Sequence, residues 1–311
     1  VLATVVICTR DRRALLERCL GALAAMVVPA GVPWEVLVVD NGSSDGTREL
    51  AESFTGSLPI RVVDEGRPGV SSARNRGVTE ARGSYLLWLD DDALVAPGWL
   101  SAYCEAIARF PGDAIFGGPI ELEFTSPLPD WFARVLPRVS PIFGARDLGD
   151  SHVTLAARES GIPFGANFAT RVQEQRHYIF DPDLGRHPRH PGRGSEETEV
   201  MMAMLGDGHS GHWVPGARVR HLKGTDRINL AFMSDHIADY GEYRARRETP
   251  GGLWIGGAPL GAWTRLWRGK ARYAIGRRIL PVERWIDQFI EMSEARGWLA
   301  GHRKRSSAKP R

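Results

Sequence analysis

A chain of 311 residues with 43% hydrophobic and 25% charged residues is long enough to bury a large core, and suits one large α/β domain or one domain with an appendage. Its formal net charge of +3 is too small to imply nucleic acid, and no stretch reaches the roughly eighteen uninterrupted apolar residues that a membrane-spanning helix needs. Three widely spaced cysteines, Cys8, Cys19 and Cys104, form no C-x-x-C pair or Cys/His cluster, which argues against a disulfide framework or structural zinc and for a reducing, cytoplasmic setting. Val1 to Cys8 is apolar without a basic leader or cleavage site, so it reads as a buried first strand rather than a signal peptide. Because no initiator Met is present, the numbering is expected to start just inside the natural protein.

The first half alternates short apolar runs with helical periodicity, the pattern of a mostly parallel sheet with crossover helices. Strands are expected at Val5–Ile7, Glu35–Val39, Ile60–Val63 and Tyr85–Leu89. Helices are expected at Ala14–Met26, Thr47–Phe54 and Gly69–Ala81, the last capped by Ser71 or Ser72. The second half is less regular. Phe116–Phe124 and His212–His221 read as strands, Pro163–Phe168 as a strand lining a site, and Thr125–Asp150 as an irregular insertion. Arg186–Gly194 has the composition of a mobile loop, after which Ser195 is expected to cap a helix. Ile228–Arg247 reads as a longer helix, and the Trp- and Arg-rich segment after Gly251-Gly252 as one or two peripheral helices.

Three strands end in polar residues, at Thr9-Arg10-Asp11, Asp40-Asn41 and Asp90-Asp91-Asp92, and ligands of open α/β sheets gather at such carboxyl ends. Three adjacent carboxylates repel unless a cation or donor sits among them, and hard oxygen ligands suit Mg²⁺ or Mn²⁺ shared with substrate phosphates. Glu196 and Glu197, in the first turn after Ser195, are favoured as charged carboxylates by the helix dipole and suit a general base; acidic residues also decorate helix starts with no such role. His221 could complete a metal site as neutral imidazole, although Lys223 beside it equally suits an exposed position. Arg74-Asn75 can grip phosphate or anchor the acidic loop.

In this order the segments resemble the family 2 glycosyltransferases. The matching residues are Val5-Val6-Ile7-Cys8-Thr9-Arg10-Asp11-Arg12, Val38-Val39-Asp40-Asn41-Gly42-Ser43-Ser44-Asp45-Gly46-Thr47, Gly69 with Ala73-Arg74-Asn75-Arg76-Gly77, the D-x-D-like Leu89-Asp90-Asp91-Asp92, and Gly194-Ser195-Glu196-Glu197-Thr198-Glu199. The resemblance implies the GT-A fold, a Rossmann-like, mostly parallel sheet flanked by helices, with a C-terminal helical extension. It implies a nucleotide-sugar donor, UDP-linked by default, with Thr9 and Asp40 at base and ribose and Arg10 and Asp11 close by. By the same resemblance Arg74 and Asn75 support the nucleotide, Asp91 meets the ribose, Asp90 shares either task of the motif, and Asp92 with His221 holds Mn²⁺ or Mg²⁺. Glu197 falls where the family usually has an aspartate base, Glu196 just before it, in an inverting single displacement.

The expected divisions are 1–225 for the catalytic domain (1–120 for the donor, 121–225 for the acceptor), 226–300 for the helical region and 301–311 for a basic, disordered tail. A nucleotidyltransferase is disfavoured because Cys8 to Arg12 lacks the glycines that grip a triphosphate, and no P-loop or dinucleotide fingerprint is present. A non-catalytic donor-binding protein is the other alternative. Trp254, Trp263, Trp267, Trp285 and Trp298 among arginines fit either packing onto the fold or peripheral membrane contact. The acceptor, whether glycan, lipid-linked, natural product or peptide, is not readable from the sequence.

Overall fold

The computed structural model describes residues 3–185, 194–248 and 250–308. The N-terminal half follows the alternation: β1 (Ala3–Thr9), α1 (Arg13–Ala24), β2 (Trp34–Asp40), α2 (Thr47–Ser53), β3 (Ile60–Asp64), α3 (Val70–Glu80) and β4 (Tyr85–Leu89). Then come β5 (Ala93–Val95), α4 (Trp99–Arg109), β6 (Ile115–Gly117), β7 (Ile120–Phe124), α5 (Asp130–Val139), β8 (Asn167–Arg171), the single turn α6 (Val172–Gln175), α7 (Glu196–Gly206), β9 (Gly211–Trp213) and β10 (Val219–Lys223). The chain closes with α8 (Leu230–Arg247), β11 (Trp254–Ile255), β12 (Ala258–Pro259), α9 (Leu260–Ile279) and α10 (Val282–Ala308).

Two compact units result. The first takes the described residues up to Glu123, Gly144–Gly185 and Glu196–Lys223; the second takes Phe124–Phe143, Gly194-Ser195 and the chain from Gly224 onward. In the first unit a seven-stranded sheet has the order β3-β2-β1-β4-β8-β6-β9, and a smaller sheet has the order β5-β10-β7. β3, β2, β1 and β4 run parallel, and β8 runs antiparallel to both β4 and β6. The expected α/β, mostly parallel sheet with flanking helices is therefore present. Both faces of β1 are covered, as an interior parallel strand requires. Val5 and Ile7 join Leu16, Leu20 and Leu23 of α1 on one face, while Val6 joins Ala73 and Val78 of α3 on the other. A Cβ on Gly77 would sit 2.7 Å from Val6 Cγ1, so glycine is what lets α3 lie so close to the sheet.

Two expected strands are broken. Gly118-Pro119 divides Phe116–Phe124 into β6 and β7, and residues 214–218 divide the other into β9 and β10. Both breaks are tied by Asn167, the first residue of β8. Trp99 Nε1 and Tyr103 Oη each donate to its Oδ1 at 2.9 Å, and its Nδ2 donates to the carbonyls of Pro119 at 3.1 Å and Ala217 at 2.6 Å. Pro163–Phe168 is strand only from Asn167.

In the second unit α8 and α10 run parallel in close contact. A Cβ on Gly297 would meet Ala238 O at 1.8 Å, and one on Gly241 would meet Glu294 O at 2.3 Å, so small residues set the helix separation. The expected irregular insertion contains α5, which reaches α10 through Arg134–Glu283 at 3.5 Å and Arg138–Asp287 at 3.4 Å. Residues 124–143 thus belong with the helical unit rather than with an acceptor half at 121–225. The tail expected to be disordered at 301–311 is helical over its described part: α10 continues to Ala308, and His302 is fully buried because it lies between Trp254 and Trp298, while residues 309–311 lie outside the described residues. No helix among the described residues is long and apolar enough to cross a membrane. The loop expected at Arg186–Gly194 lies, up to residue 193, outside the described residues.

Candidate active site

Parallel register brings the strand ends together. Thr9 pairs with Asp40 across β1 and β2, and Asp40 with Asp64 across β2 and β3, while β4 delivers Asp90, Asp91 and Asp92 one strand away. The smaller sheet supplies the remaining partner. His221 of β10 faces Ala93 of β5, and Leu222 N donates to Asp92 O at 2.8 Å, which fixes the imidazole beside the last aspartate. His221 and Lys223 are both buried, against the expectation that Lys223 suits an exposed position.

The three aspartates have different surroundings. Asp91 is buried, accepts from Thr9 Oγ1 at 2.7 Å, and lies 2.9 Å from Arg12 Nε in an ion pair without hydrogen-bond geometry. Burial pushes the Asp91 carboxyl up to about 7 despite Arg12. Burial acts on Asp92 too, but His221, Lys223 and Arg12 outweigh it and hold that carboxyl well below its usual range. Arg12 Nη2 also donates to Asp92, making Arg12 a clamp across the pair. Asp90 is the half-exposed member, 3.7 Å from Arg74 Nη2.

One ligand atom each from Asp90, Asp92 and His221 lies within 4.8 Å of the others. His221 Nε2 is 2.7 Å from Asp92 Oδ1 and also 2.6 Å from Lys223 Nζ. A neutral imidazole nitrogen cannot donate to the carboxylate and accept from the ammonium at once. When Nε2 is unprotonated, its one lone pair can serve a cation beside Asp92 in place of the Lys223 ammonium, and the donor types of Asp90, Asp92 and His221 fit a divalent ion.

Arg74 connects the acidic triplet to α7. It donates to Glu196 Oε1 at 2.8 Å, lies 3.5 Å from Glu197 Oε2, and stacks near the rings of Phe168 and Phe180. Burial would lower the Arg74 pKa, but Glu196, Glu197 and Asp90 together raise it above its ordinary value. Glu196 is thus buried and committed to Arg74, whereas Glu197 is more exposed and loosely held. Gly165 permits this packing: a Cβ there would lie 2.8 Å from Glu197 Oε1 and 3.0 Å from Arg74 Nη2. Ser195 has φ +79°, not the extended backbone of a capping serine, and Gly69 rather than Ser71 or Ser72 precedes α3.

The remaining expected residues lie further out. Asp40 accepts from the backbone N and the hydroxyl of Ser43, and lines a cavity of about 480 Å³ with Ser44, Arg48, Asp64 and Glu65. Asp11 accepts from Ser44 N at 2.7 Å and so ties the loop after β1 to the loop after β2; Arg10 is exposed beside it. Asn75 is taken by backbone: it donates to Phe180 O and accepts from Phe180 N, both at 2.8 Å. Arg12 and Lys223 are the site residues whose roles the sequence reading missed. Only the position of Arg12 in the opening motif pointed to it.

Residues 4–141 match the family described as Glycosyl transferase family 2. Succinoglycan biosynthesis protein ExoM of Rhizobium meliloti is 34% identical over 247 residues, 77% of this chain and 73% of that protein. The chain belongs to glycosyl transferase family 2. With several other curated glycosyltransferases the match is shorter, spanning about a third of their length (33–36%). Among solved structures, this family 2 chain is similar to S. aureus TarS 1-349 in complex with UDP-GlcNAc, with TM-score 0.55, 14% identity, and 95% and 90% of the two chains covered. It is similar as well to the mannosyltransferase PcManGT from Pyrobaculum calidifontis in complex with GDP-Man and Mn²⁺, with TM-score 0.57, 18% identity, and 98% and 87% covered. At these identities the likeness establishes the GT-A fold.

Proposed function

We propose that this glycosyltransferase works by inversion, transferring a sugar from a nucleoside-diphosphate donor with Glu197 as general base and a divalent cation at Asp92, His221 and Asp90. The supporting observation is the meeting, at one end of the sheet, of a cation-suited Asp/Asp/His set and a loosely held carboxylate, joined through Arg74. The cation would supply charge for the diphosphate leaving group. The cavity beside Asp40 suits the nucleoside, with Asp40 as acceptor for a donor group of the base or ribose and Asp11 shaping the rim. A UDP-sugar is the first donor to test, in line with the TarS complex, and a GDP-sugar the second, in line with PcManGT. Imidazole in the ligand set favours Mn²⁺ over Mg²⁺.

Glu197, rather than Glu196, accepts the acceptor's proton, because Glu196 is held by the Arg74 guanidinium. As the proton leaves, the acceptor nucleophile attacks the anomeric carbon from the face opposite the diphosphate, and the bond to the diphosphate oxygen breaks with its electron pair. Thr9 and Arg12 act through the aspartates, holding Asp91 and Asp92 in place before the donor binds. The deciding measurement is thermal stabilisation by UDP- and GDP-sugars with and without Mn²⁺, paired with an assay for donor turnover. Stabilisation by one donor that chelator removes, together with sugar release or transfer, supports the reading. Donor binding indifferent to chelator overturns the metal assignment, and binding without turnover across varied acceptors overturns catalysis.

A further inference from the structure

The outer surface of the helical unit carries apolar side chains that the fold does not bury. On α9, Trp267 is 61% exposed, Ile275 59% and Ile279 72%; with the exposed Ala271 they follow at successive spacings of four, one long stripe along the helix. Leu260 at the start of α9 is exposed too, as are Leu253, Trp254 and Ile255 in the adjoining β11–β12 hairpin. The opposite side of α9 is occupied by α10, where Ala262 and Leu266 pack against Ala295 and Leu299. Its outer side has no partner within the described unit.

Charge indicates what covers it. From Thr249 to Val282 the sequence has no Asp or Glu, whereas α9 alone carries Arg265, Arg268, Lys270, Arg272, Arg277 and Arg278. Arg265 and Arg272 turn toward Glu294 and Glu291 of α10. No described carboxylate lies within ion-pair distance of Arg268, Lys270 or Arg278, and Lys270 Nζ lies 4.8 Å above the Trp267 ring. A second copy of the chain would set this basic helix against itself. A surface of anionic phospholipid headgroups over acyl chains complements both features, taking the apolar stripe into the interfacial layer and the cations at headgroup level.

We propose that α9 and the β11–β12 hairpin form a peripheral docking surface for anionic lipid bilayers. Trp267, Ile275 and Ile279 enter the interface, and Arg268, Lys270 and Arg278 contact lipid phosphates. The surface is independent of the reading of the active site, since none of these residues belongs to that site.

The test is flotation of the full chain with vesicles of phosphatidylcholine alone and of phosphatidylcholine with 30% phosphatidylglycerol, at low and at physiological salt, beside the variants Trp267→Ser/Ile275→Ser/Ile279→Ser and Arg268→Glu/Lys270→Glu. All substituted side chains are exposed, and unchanged circular dichroism confirms folding. The expected result is binding to anionic vesicles only, weakened by salt, with each variant bound at least tenfold more weakly; removing one basic residue alone costs roughly fivefold. Wild-type Trp fluorescence should be quenched by brominated acyl chains, and less so in Trp267→Phe. Equal binding by wild type and variants, or no vesicle binding, overturns the proposal. So does a dimer in light scattering that the apolar variant dissolves, which would assign the face to a second copy.

Discussion

Arg74 and Glu196 form a buried ion pair of 2.8 Å between α3 and α7, across 122 residues of sequence. The pair offsets much of the cost of burying both charges, and Glu197 and Asp90 lie near the same guanidinium. Replacing Arg74 with Met removes the guanidinium that Glu196 Oε1 accepts from. Unfolding in urea should then show a loss of about 3–5 kcal/mol. The double variant Arg74→Met/Glu196→Gln should recover a good part of that loss, and a variant pair that is merely additive would remove this account of the site's scaffold.

The same pair separates the two glutamates. Glu197→Gln should lower kcat by about 10²–10⁴ with donor affinity intact, as expected for loss of a general base. Glu196→Gln should act mainly on stability. Single-turnover transfer and donor titration on both variants check the assignment, and equal losses of kcat would contradict it.

Gly165 tests position rather than chemistry. In Gly165→Ala the new methyl group displaces the Glu197 carboxylate, since the ideal Cβ lies 2.8 Å from Oε1. Transfer should slow by about 10²-fold, the effect of misplacing a reacting group by about an ångström, while donor binding is retained.

For the cation, Asp92→Asn should abolish Mn²⁺-dependent stabilisation by the donor. His221→Ala should weaken Mn²⁺ affinity by more than about 10–100-fold while keeping the fold, since that range is typical of losing only an outer-shell partner of a metal site. Manganese titration by electron paramagnetic resonance measures both, independently of turnover.

Away from the site, Glu35 accepts from Thr4 Oγ1 at 2.8 Å, Arg61 Nε at 2.9 Å and Arg82 N at 3.1 Å. Burial would raise its pKa, but these donors lower it below the ordinary glutamate value. A folded-state pKa below the unfolded one gives stability that is present above the unfolded value, about 4.3, and lost as pH falls through the folded value. Midpoints of urea unfolding between pH 6 and pH 3 should therefore fall less steeply in Glu35→Gln than in the wild type.

Much of the sheet was legible because its strands advertise themselves. Buried runs such as Tyr85–Leu89 end abruptly in polar residues, and parallel register then places Thr9, Asp40 and the aspartates side by side. Segments held by distant partners were not legible. Phe116–Phe124 looks continuous until Asn167 is seen to bind the Pro119 carbonyl at the break. The basic end of the chain looks disordered by composition, yet it is helix because Gly297 and Gly301 admit it against α8. In the site, Asp90–Asp92 and His221 could be picked out by type. Arg12, Lys223 and the unequal fates of Glu196 and Glu197 depend on which side chains cross the space between strands, and sequence spacing carries no record of that.

The parallel course of α8 and α10 has a consequence for the helix between them. Two helices pointing the same way cannot be joined by a tight turn, so the chain must travel back along their length, and α9 is that return journey. Its inner side meets the architectural demand by resting on α10. Among the described residues of this unit no element packs on its outer side, whose residues are therefore open to selection by whatever the molecule meets outside itself.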